Sequence, residues 1–186
     1  GRGIIDRDEE RPELRVYGRA IREGLAGIDA RIVLEPGRVI VGNAGVLVTR
    51  VLYRKAGEAK AFIVVDAGMN DLLRPSLYDA FHDVRPVDES LAGTLITADV
   101  VGPICETGDF LSRDHEVPDA RRDDLLAVMS AGAYGFSMSS NYCSRRRPAE
   151  VMVRGERFEV IRRRQNYDDL VAGETIPAFL EENEAS

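Results

Sequence analysis

Two residue types that carry much of enzyme chemistry are scarce in this chain: of 186 residues, two are cysteine and two are histidine. Cys105 and Cys143 make no disulfide framework, which favours a reducing, cytoplasmic setting. Neither His82 nor His115 lies at ligand spacing from a cysteine, so no metal site is expected. Lysine is equally rare, with only Lys55 and Lys60. No apolar run approaches the roughly 20 residues that cross a bilayer, so no membrane partner is expected. The first residues, Gly1-Arg2-Gly3-Ile4-Ile5-Asp6, lack the apolar stretch of a secretory signal. G-x-S-x-G, P-loop and G-x-G-x-x-G elements are absent. So are internal repeats and low-complexity linkers.

What is present is the composition of a globular protein, 44% hydrophobic with a formal net charge of −7. The length supports one ordinary domain, or one domain and a piece of another. Net acidity argues against nucleic acid as the main partner. The triplets Arg145-Arg146-Arg147 and Arg162-Arg163-Arg164 run against that trend and read as solvated strand ends or intersubunit ion pairs. Residues 11–26 predict an amphipathic helix, with Leu14, Tyr17, Ile21 and Leu25 at helical spacing, Pro12 in the first turn and Gly27 closing the end. Arg31 to Glu35 predicts a short buried strand stopped by Pro36-Gly37, and helix plus strand is the unit of an α/β fold.

Beyond residue 38 the texture changes. Val39 to Tyr53 predicts a long strand bent at Gly42 and Gly45, and a turn at Lys55 to Glu58 leads into a strand over 61–66. Further strands are expected near 84–87, 95–101, 124–129, 149–154 and 157–163, with a short helix inside 131–142. Short strands with frequent turn signals indicate an antiparallel β-barrel or sandwich. The chain therefore reads as mostly β: the last helix and strand of one domain followed by a nearly complete β domain. Residues 171–186, ending Glu181-Glu182-Asn183-Glu184, are expected to form an acidic, fraying tail.

Four segments could carry chemistry. Glu35-Pro36-Gly37-Arg38 sits at the C-terminal end of the expected α/β strand, where α/β barrels build their sites. A glycine there admits a phosphate to the backbone, and an arginine can grip a carboxylate, although a plain turn has the same pattern. Asp66 to Tyr78 leaves a strand for a polar loop, and Arg74 and Tyr78 share one side if that segment is helical. Gly102-Pro103-Ile104-Cys105-Glu106-Thr107-Gly108-Asp109 sets a cysteine beside carboxylates, a candidate acid, base or nucleophile, or an inert buried thiol. In Ala131-Gly132-Ala133-Tyr134-Gly135, small neighbours would let a flat ligand approach the phenol, or a partner helix pack there.

The order and wording of these segments resemble the diaminopimelate decarboxylases. The matching stretches run from Glu35-Pro36-Gly37-Arg38 through Asn43-Ala44-Gly45-Val46-Leu47, Val65 to Leu72, Arg74-Pro75-Ser76-Leu77-Tyr78 and Gly102 to Asp109. They continue through Gly132-Ala133-Tyr134-Gly135, Ser140-Asn141-Tyr142 and Arg147-Pro148-Ala149-Glu150-Val151. The resemblance covers about residues 30–165 and implies an alanine-racemase-like fold, in which the last helix and strand of a pyridoxal 5'-phosphate-binding α/β (TIM-like) barrel, over 1–38, precede a C-terminal antiparallel β-barrel domain over 39–170. It implies decarboxylation of meso-diaminopimelate to L-lysine in lysine biosynthesis, with the cofactor as electron sink. By the same resemblance Glu35, Pro36, Gly37 and Arg38 line the cofactor phosphate, and Arg38 also reaches the substrate. Arg74 and Tyr78 bind the carboxylate at the unreactive end of the substrate, and Glu106 pairs with its distal amine. Cys105 is the proton donor, entering the neighbouring subunit's site across a homodimer interface, and Tyr134 contacts cofactor and substrate.

The chemistry of the side chains agrees with that substrate. Its distal end carries an amine and a carboxylate, and Glu106 with Arg38 and Arg74 offers an acid and bases together. An ornithine or arginine decarboxylase would need only the acid, leaving arginines unpaired. A non-catalytic, dimerising relative is the third alternative. Three features depart from the family's pattern. Neither lysine matches the cofactor's Schiff-base motif, the histidine that stacks on the cofactor ring is missing, and Arg2 stands where a phosphate-loop glycine is expected. A complete barrel takes about 250 residues, so the chain is expected to be a fragment or a split subunit, inactive alone.

Overall fold

The computed structural model describes residues 13–57, 60–91 and 93–181. Pro12, the glycine-rich Gly1–Ile5 stretch, Glu58 of the expected turn and the tail from Glu182 lie outside the described residues. The chain divides into two compact units, Gly1–Ser139 and Ser140–Ser186.

The first unit opens with helix α1, Leu14–Gly24, close to the expected span. Gly27 follows at φ +84, a left-handed value that costs glycine little. No residue of α1 is buried. The buried strand expected over Arg31–Glu35 is not formed. These residues run as exposed coil, Val33 at 73% exposure, because a strand exists only against a partner strand and none is paired with them among the described residues. Nor does a strand begin at Val39. Residues 38–41 are turn, followed by one 3₁₀ turn at Gly42–Ala44, and strand β1 starts only at Leu47 and runs to Ala56.

From β1 a hairpin closed by the Gly57 amide on the Lys60 carbonyl (2.9 Å) leads into β2, Ala61–Val65. Then come α2 (Arg74–Tyr78), β3 (Val84–Pro86), β4 (Leu95–Val101), β5 (Phe110–Pro118) and β6 (Leu125–Val128). These strands make one mixed sheet in the order β3-β6-β1-β2-β4-β5, and the two edge strands β3 and β5 approach each other, so the sheet is nearly a closed barrel. All its pairs are antiparallel except β2 with β4. Alternate side chains point inward, as the two-residue period of a strand dictates: Val51, Ile63, Val65, Leu126 and Val128 are fully buried and form one core. Strand β5 was not anticipated. Its middle, Ser112-Arg113-Asp114-His115-Glu116, is polar, and only its ends carry the apolar signal.

The one parallel pair positions the functional loops. Parallel strands need a long crossover rather than a tight turn, and here residues 66–94 supply it, including the 66–73 loop and α2. The second unit holds the antiparallel hairpin of β7 (Glu150–Arg154) and β8 (Arg157–Arg162), turned at Gly155 with φ +60. In place of the short helix expected within 131–142 are single 3₁₀ turns at Phe136–Met138 and Tyr142–Ser144. The second arginine triplet makes ion pairs within the chain: Arg162 with Glu150 (2.6 Å) and Arg163 with both oxygens of Asp169 (2.5 and 2.6 Å). One helical turn, α3 at Ala178–Glu181, lies within the 171–186 stretch expected to be a fraying tail.

Candidate functional site

The expected site residues fall into two clusters, each built by loops that leave the six-stranded sheet. The first is organised by a carboxylate to which no role had been given. Asp109 is buried; its Oδ1 accepts the Met69 amide and its Oδ2 the Ile104 amide, both at 2.6 Å. Its own amide donates to the Glu106 carbonyl and its carbonyl accepts the Gly102 amide. One side chain thus fastens the 102–109 loop to the 66–73 loop, using charge-assisted bonds stronger than neutral ones. The glycines are what make this approach possible. A Cβ on Gly68 would stand 2.8 Å from the Asp109 carboxylate, and one on Gly102 2.5 Å from it. A Cβ on Gly108 would come within 2.6 Å of Ser76 Oγ, so the loop also lies against α2. Asp71 pins the other loop from inside, accepting from the Gly68 amide (2.9 Å) and the Asn70 side chain (3.0 Å).

At the tip of the fastened loop, Cys105 and Glu106 are both exposed, and the thiol is free. Next to it α2 is helical as expected, yet burial separates the two residues it was expected to present together. Arg74 is 6% exposed, whereas Tyr78, one turn on, is 62% exposed. The Arg74 guanidinium reaches His82 Nε2 at 2.9 Å, and His82 Nδ1 lies 2.8 Å from the Met129 carbonyl. Asp79, at φ +50, ends the helix with its amide on the Arg74 carbonyl. Behind α2 a small cleft lies among Pro75, Phe81, His82, Phe110, Arg113 and His115.

The second cluster joins the 35–45 segment to residues 130–135. The Ala131 amide donates to the Gly45 carbonyl (2.8 Å), the Gly132 amide to the Gly42 carbonyl (3.0 Å) and Ser130 Oγ to Asn43 Oδ1 (3.0 Å). Only glycines fit where the strands of chain cross, since a Cβ on Gly132 would meet the Val41 carbonyl at 1.9 Å. Beyond that crossing Tyr134 adopts φ +60 and stands half exposed, its hydroxyl 3.8 Å from the position a Gly37 Cβ would take. Glu35, Pro36 and Gly37 are exposed and Arg38 half-buried. The structure therefore brings Gly37 near Tyr134, and lays the 102–109 loop, with Cys105 and Glu106 at its tip, against α2 through Gly108 and Ser76. The first group combines exposed backbone with a phenol, a chemistry able to receive an anion. The second presents an acid, a thiol and a buried guanidinium.

Asp109 and His82 were missed for different reasons. Asp109 was hidden by the more reactive Cys105 and Glu106 in its own segment, although the glycines at 68, 102 and 108 mark room left for it. His82 was weighed only as a metal ligand, and a spacing of eight residues gives no hint of its contact with Arg74. Among the described residues no group of three or more His, Cys, Asp and Glu side chains is placed to hold a metal ion.

Residues 6–132 match the family model described as pyridoxal-dependent decarboxylase, C-terminal sheet domain. A diaminopimelate decarboxylase of Pseudomonas aeruginosa is 55% identical over 176 residues, covering 95% of this chain and 42% of the relative. Among solved structures, AQ1208 from Aquifex aeolicus superposes with a TM-score of 0.86 at 48% identity, covering 92% of this chain and 43% of that one. Diaminopimelate decarboxylase from Helicobacter pylori complexed with L-lysine gives a TM-score of 0.83 at 40% identity, covering 99% and 43%. The chain thus spans about two-fifths of the length of the relatives it matches.

Proposed function

The chain belongs to the pyridoxal-dependent decarboxylases with a C-terminal sheet domain, and from that premise we propose that it is the C-terminal part of a diaminopimelate decarboxylase. The reaction breaks the bond between one carboxylate and its α-carbon in meso-2,6-diaminopimelate, releases CO2 and puts a proton on that carbon to give L-lysine. In this reading residues 1–38 end the cofactor barrel, 39–170 form the sheet domain and 171–186 the tail. The holoenzyme is a cytoplasmic homodimer. On the structural side the coarser fact is that no described helix is long and apolar enough to cross a membrane.

The observation that carries the reading is the fastening of the 102–109 loop by Asp109, which holds Cys105 and Glu106 exposed side by side at its tip, while buried Arg74 lies on α2. The unreacting end of diaminopimelate is an ammonium next to a carboxylate. Arg74 and Tyr78 of one subunit take the second, with Arg38 reaching the substrate from the other cluster, and Glu106, on the same loop tip as Cys105, takes the first from the partner subunit. Cys105, whose free thiol stands exposed at the loop tip, holds the proton that is delivered after CO2 leaves, into the site of the partner subunit. A ligand with only an amine at that end would make no use of the guanidinium, so the pair of groups favours a substrate that carries both charges.

Pyridoxal phosphate, when bound, supplies the electron sink for the breaking bond. The residues present fit its phosphate end. Gly37 adds no side chain beside the Tyr134 hydroxyl, so the backbone amides of Gly37 and Arg38 and the phenol can converge on an anion. They do not supply its amine partner. Lys60 donates hydrogen bonds to Asp114 (2.7 Å) and Asp99 (2.8 Å), which raise its pKa and hold it charged, and Lys55 extends from the solvent side of β1. We assign the cofactor's lysine to a segment outside these 186 residues.

The test is turnover by the full-length decarboxylase that carries this segment, with meso-diaminopimelate and ornithine as rival substrates. Diaminopimelate should be strongly preferred, and Arg74→Ala should lower its kcat/KM by roughly 10–100-fold, the value of a charge-assisted pair, while leaving any ornithine turnover little changed. Preference for ornithine would overturn the substrate. Cys105→Ala should keep cofactor yet lose decarboxylation. Mixed with a lysine-defective mutant, it should regain partial activity, and failure to do so would remove the shared site.

A further inference from the structure

We propose that His82 is a positioning residue that locks the Arg74 guanidinium in its carboxylate-binding orientation; the inference rests on the reading of Arg74 given above. Both partners of the imidazole are chemically unambiguous. Arginine has five N–H donors and no acceptor, so at 2.9 Å His82 Nε2 must offer it a lone pair. The Met129 carbonyl can only accept, so at 2.8 Å Nδ1 must carry the hydrogen. One species meets both demands, the neutral ring protonated on Nδ1. His82 is 2% exposed, so water does not compete for either bond.

The ring is itself braced. Met129 directly follows β6, and its amide donates to the Asp83 carbonyl at 2.8 Å, so residues 82–83 are tied to the end of that strand by backbone as well as side chain. A continuous strut therefore runs from the rigid sheet through Met129 and His82 to Arg74. An arginine side chain carries rotamer entropy that binding must otherwise remove; holding it in place before the substrate arrives removes that cost from binding. An imidazole nitrogen also orients the guanidinium without bringing a negative charge of its own, unlike a carboxylate in that place.

The experiment uses the full-length, cofactor-loaded decarboxylase. His82→Gln sets an amide oxygen near the place of Nε2 and keeps an acceptor for Arg74. His82→Asn sets its amide near Nδ1, keeping the bond to Met129 and losing the one to Arg74. His82→Leu removes both. The Leu and Asn variants should raise KM for diaminopimelate roughly tenfold with kcat within about threefold, the pattern of lost binding energy. Gln should stay within about threefold of the parent in both. A KM shift in Gln as large as in Asn, or unchanged KM in Asn, overturns the inference, even if the Leu variant does not fold. If KM is unmoved in the His82 variants while Arg74→Ala raises it, only the positioning role falls. If Arg74→Ala leaves KM alone, the reading of Arg74 falls, and this inference with it. An independent readout is the ¹⁵N spectrum of the His82 ring, which should report the neutral Nδ1–H form at neutral pH. A ring protonated on Nε2 there would also overturn it.

Discussion

The sheet of residues 47–128 and the hairpin of residues 150–162 are written in the same residues, β-branched and aromatic side chains between turn signals, and they end in opposite environments. Val51, Ile63, Val65, Leu126 and Val128 are fully buried, whereas Val153, Phe158 and Val160 stand 67%, 72% and 60% exposed. Six strands that nearly close on themselves provide a second wall for every inward side chain; two strands provide none, which is why a lone hairpin is marginal in water. The difference extends to polar groups. In the first region carboxylates such as Asp109 are buried and fasten loops, while in the second the charged residues pair at the surface, as Arg163 does with Asp169. Both candidate clusters grow from the first kind of scaffold.

The sharpest break in this comparison would come at Asp109. Replacing it with alanine strips the acceptor from two amides, Met69 and Ile104, at about 1–3 kcal/mol for each buried donor left unmatched. Asp109→Asn should lose less, because one oxygen still accepts. Hydrogen exchange at these two amides is the direct measurement, and unchanged protection in the alanine variant would mean that the loop is held by something else. Next in size is a matched pair of truncations. Leu126→Ala empties a fully buried site and should cost about 2–5 kcal/mol by denaturant unfolding. Phe158→Ala, at 72% exposure, should stay within about 0.5 kcal/mol. A cost at Phe158 rivalling that at Leu126 would show that the hairpin is covered in the protein tested.

These contrasts also mark how far the sequence could be read. Strands β2, β4, β6, β7 and β8 were legible because apolar alternation and flanking turns coincide there. Strand β5 was not, since Arg113 and Glu116 point to solvent in mid-strand and the pattern breaks where burial does. Arg31–Glu35 erred the other way: five residues with strand propensity, but propensity only becomes a strand against a neighbour. In the site, the order of motifs made Glu35–Arg38, Arg74, Tyr78, Cys105, Glu106 and Tyr134 visible as candidates. What joins them, Asp109 across the two loops and His82 behind Arg74, depends on contacts between segments distant in sequence.

The smallest effect belongs to the surface pair of the second region. Arg163 donates two hydrogen bonds to Asp169, the Asn166 amide adds a third, and together they bring the Asp169 pKa down from 3.8 to about 2. A carboxyl whose folded pKa lies below its unfolded value stabilises the fold fully above the unfolded value, and loses that contribution as the pH falls through the folded one. Any stabilisation from this pair should therefore be constant from neutrality down to about pH 4 and fade between there and about pH 2. Because the pair is exposed and screened by salt, the effect on unfolding should be slight. Its clean measurement is the NMR titration of the Asp169 carboxyl: in Arg163→Ala the midpoint should move back toward 3.8. A midpoint that stays near 2 would assign the shift to the Asn166 amide, and would leave the arginine triplet at 162–164 with one ion pair fewer holding the hairpin's end.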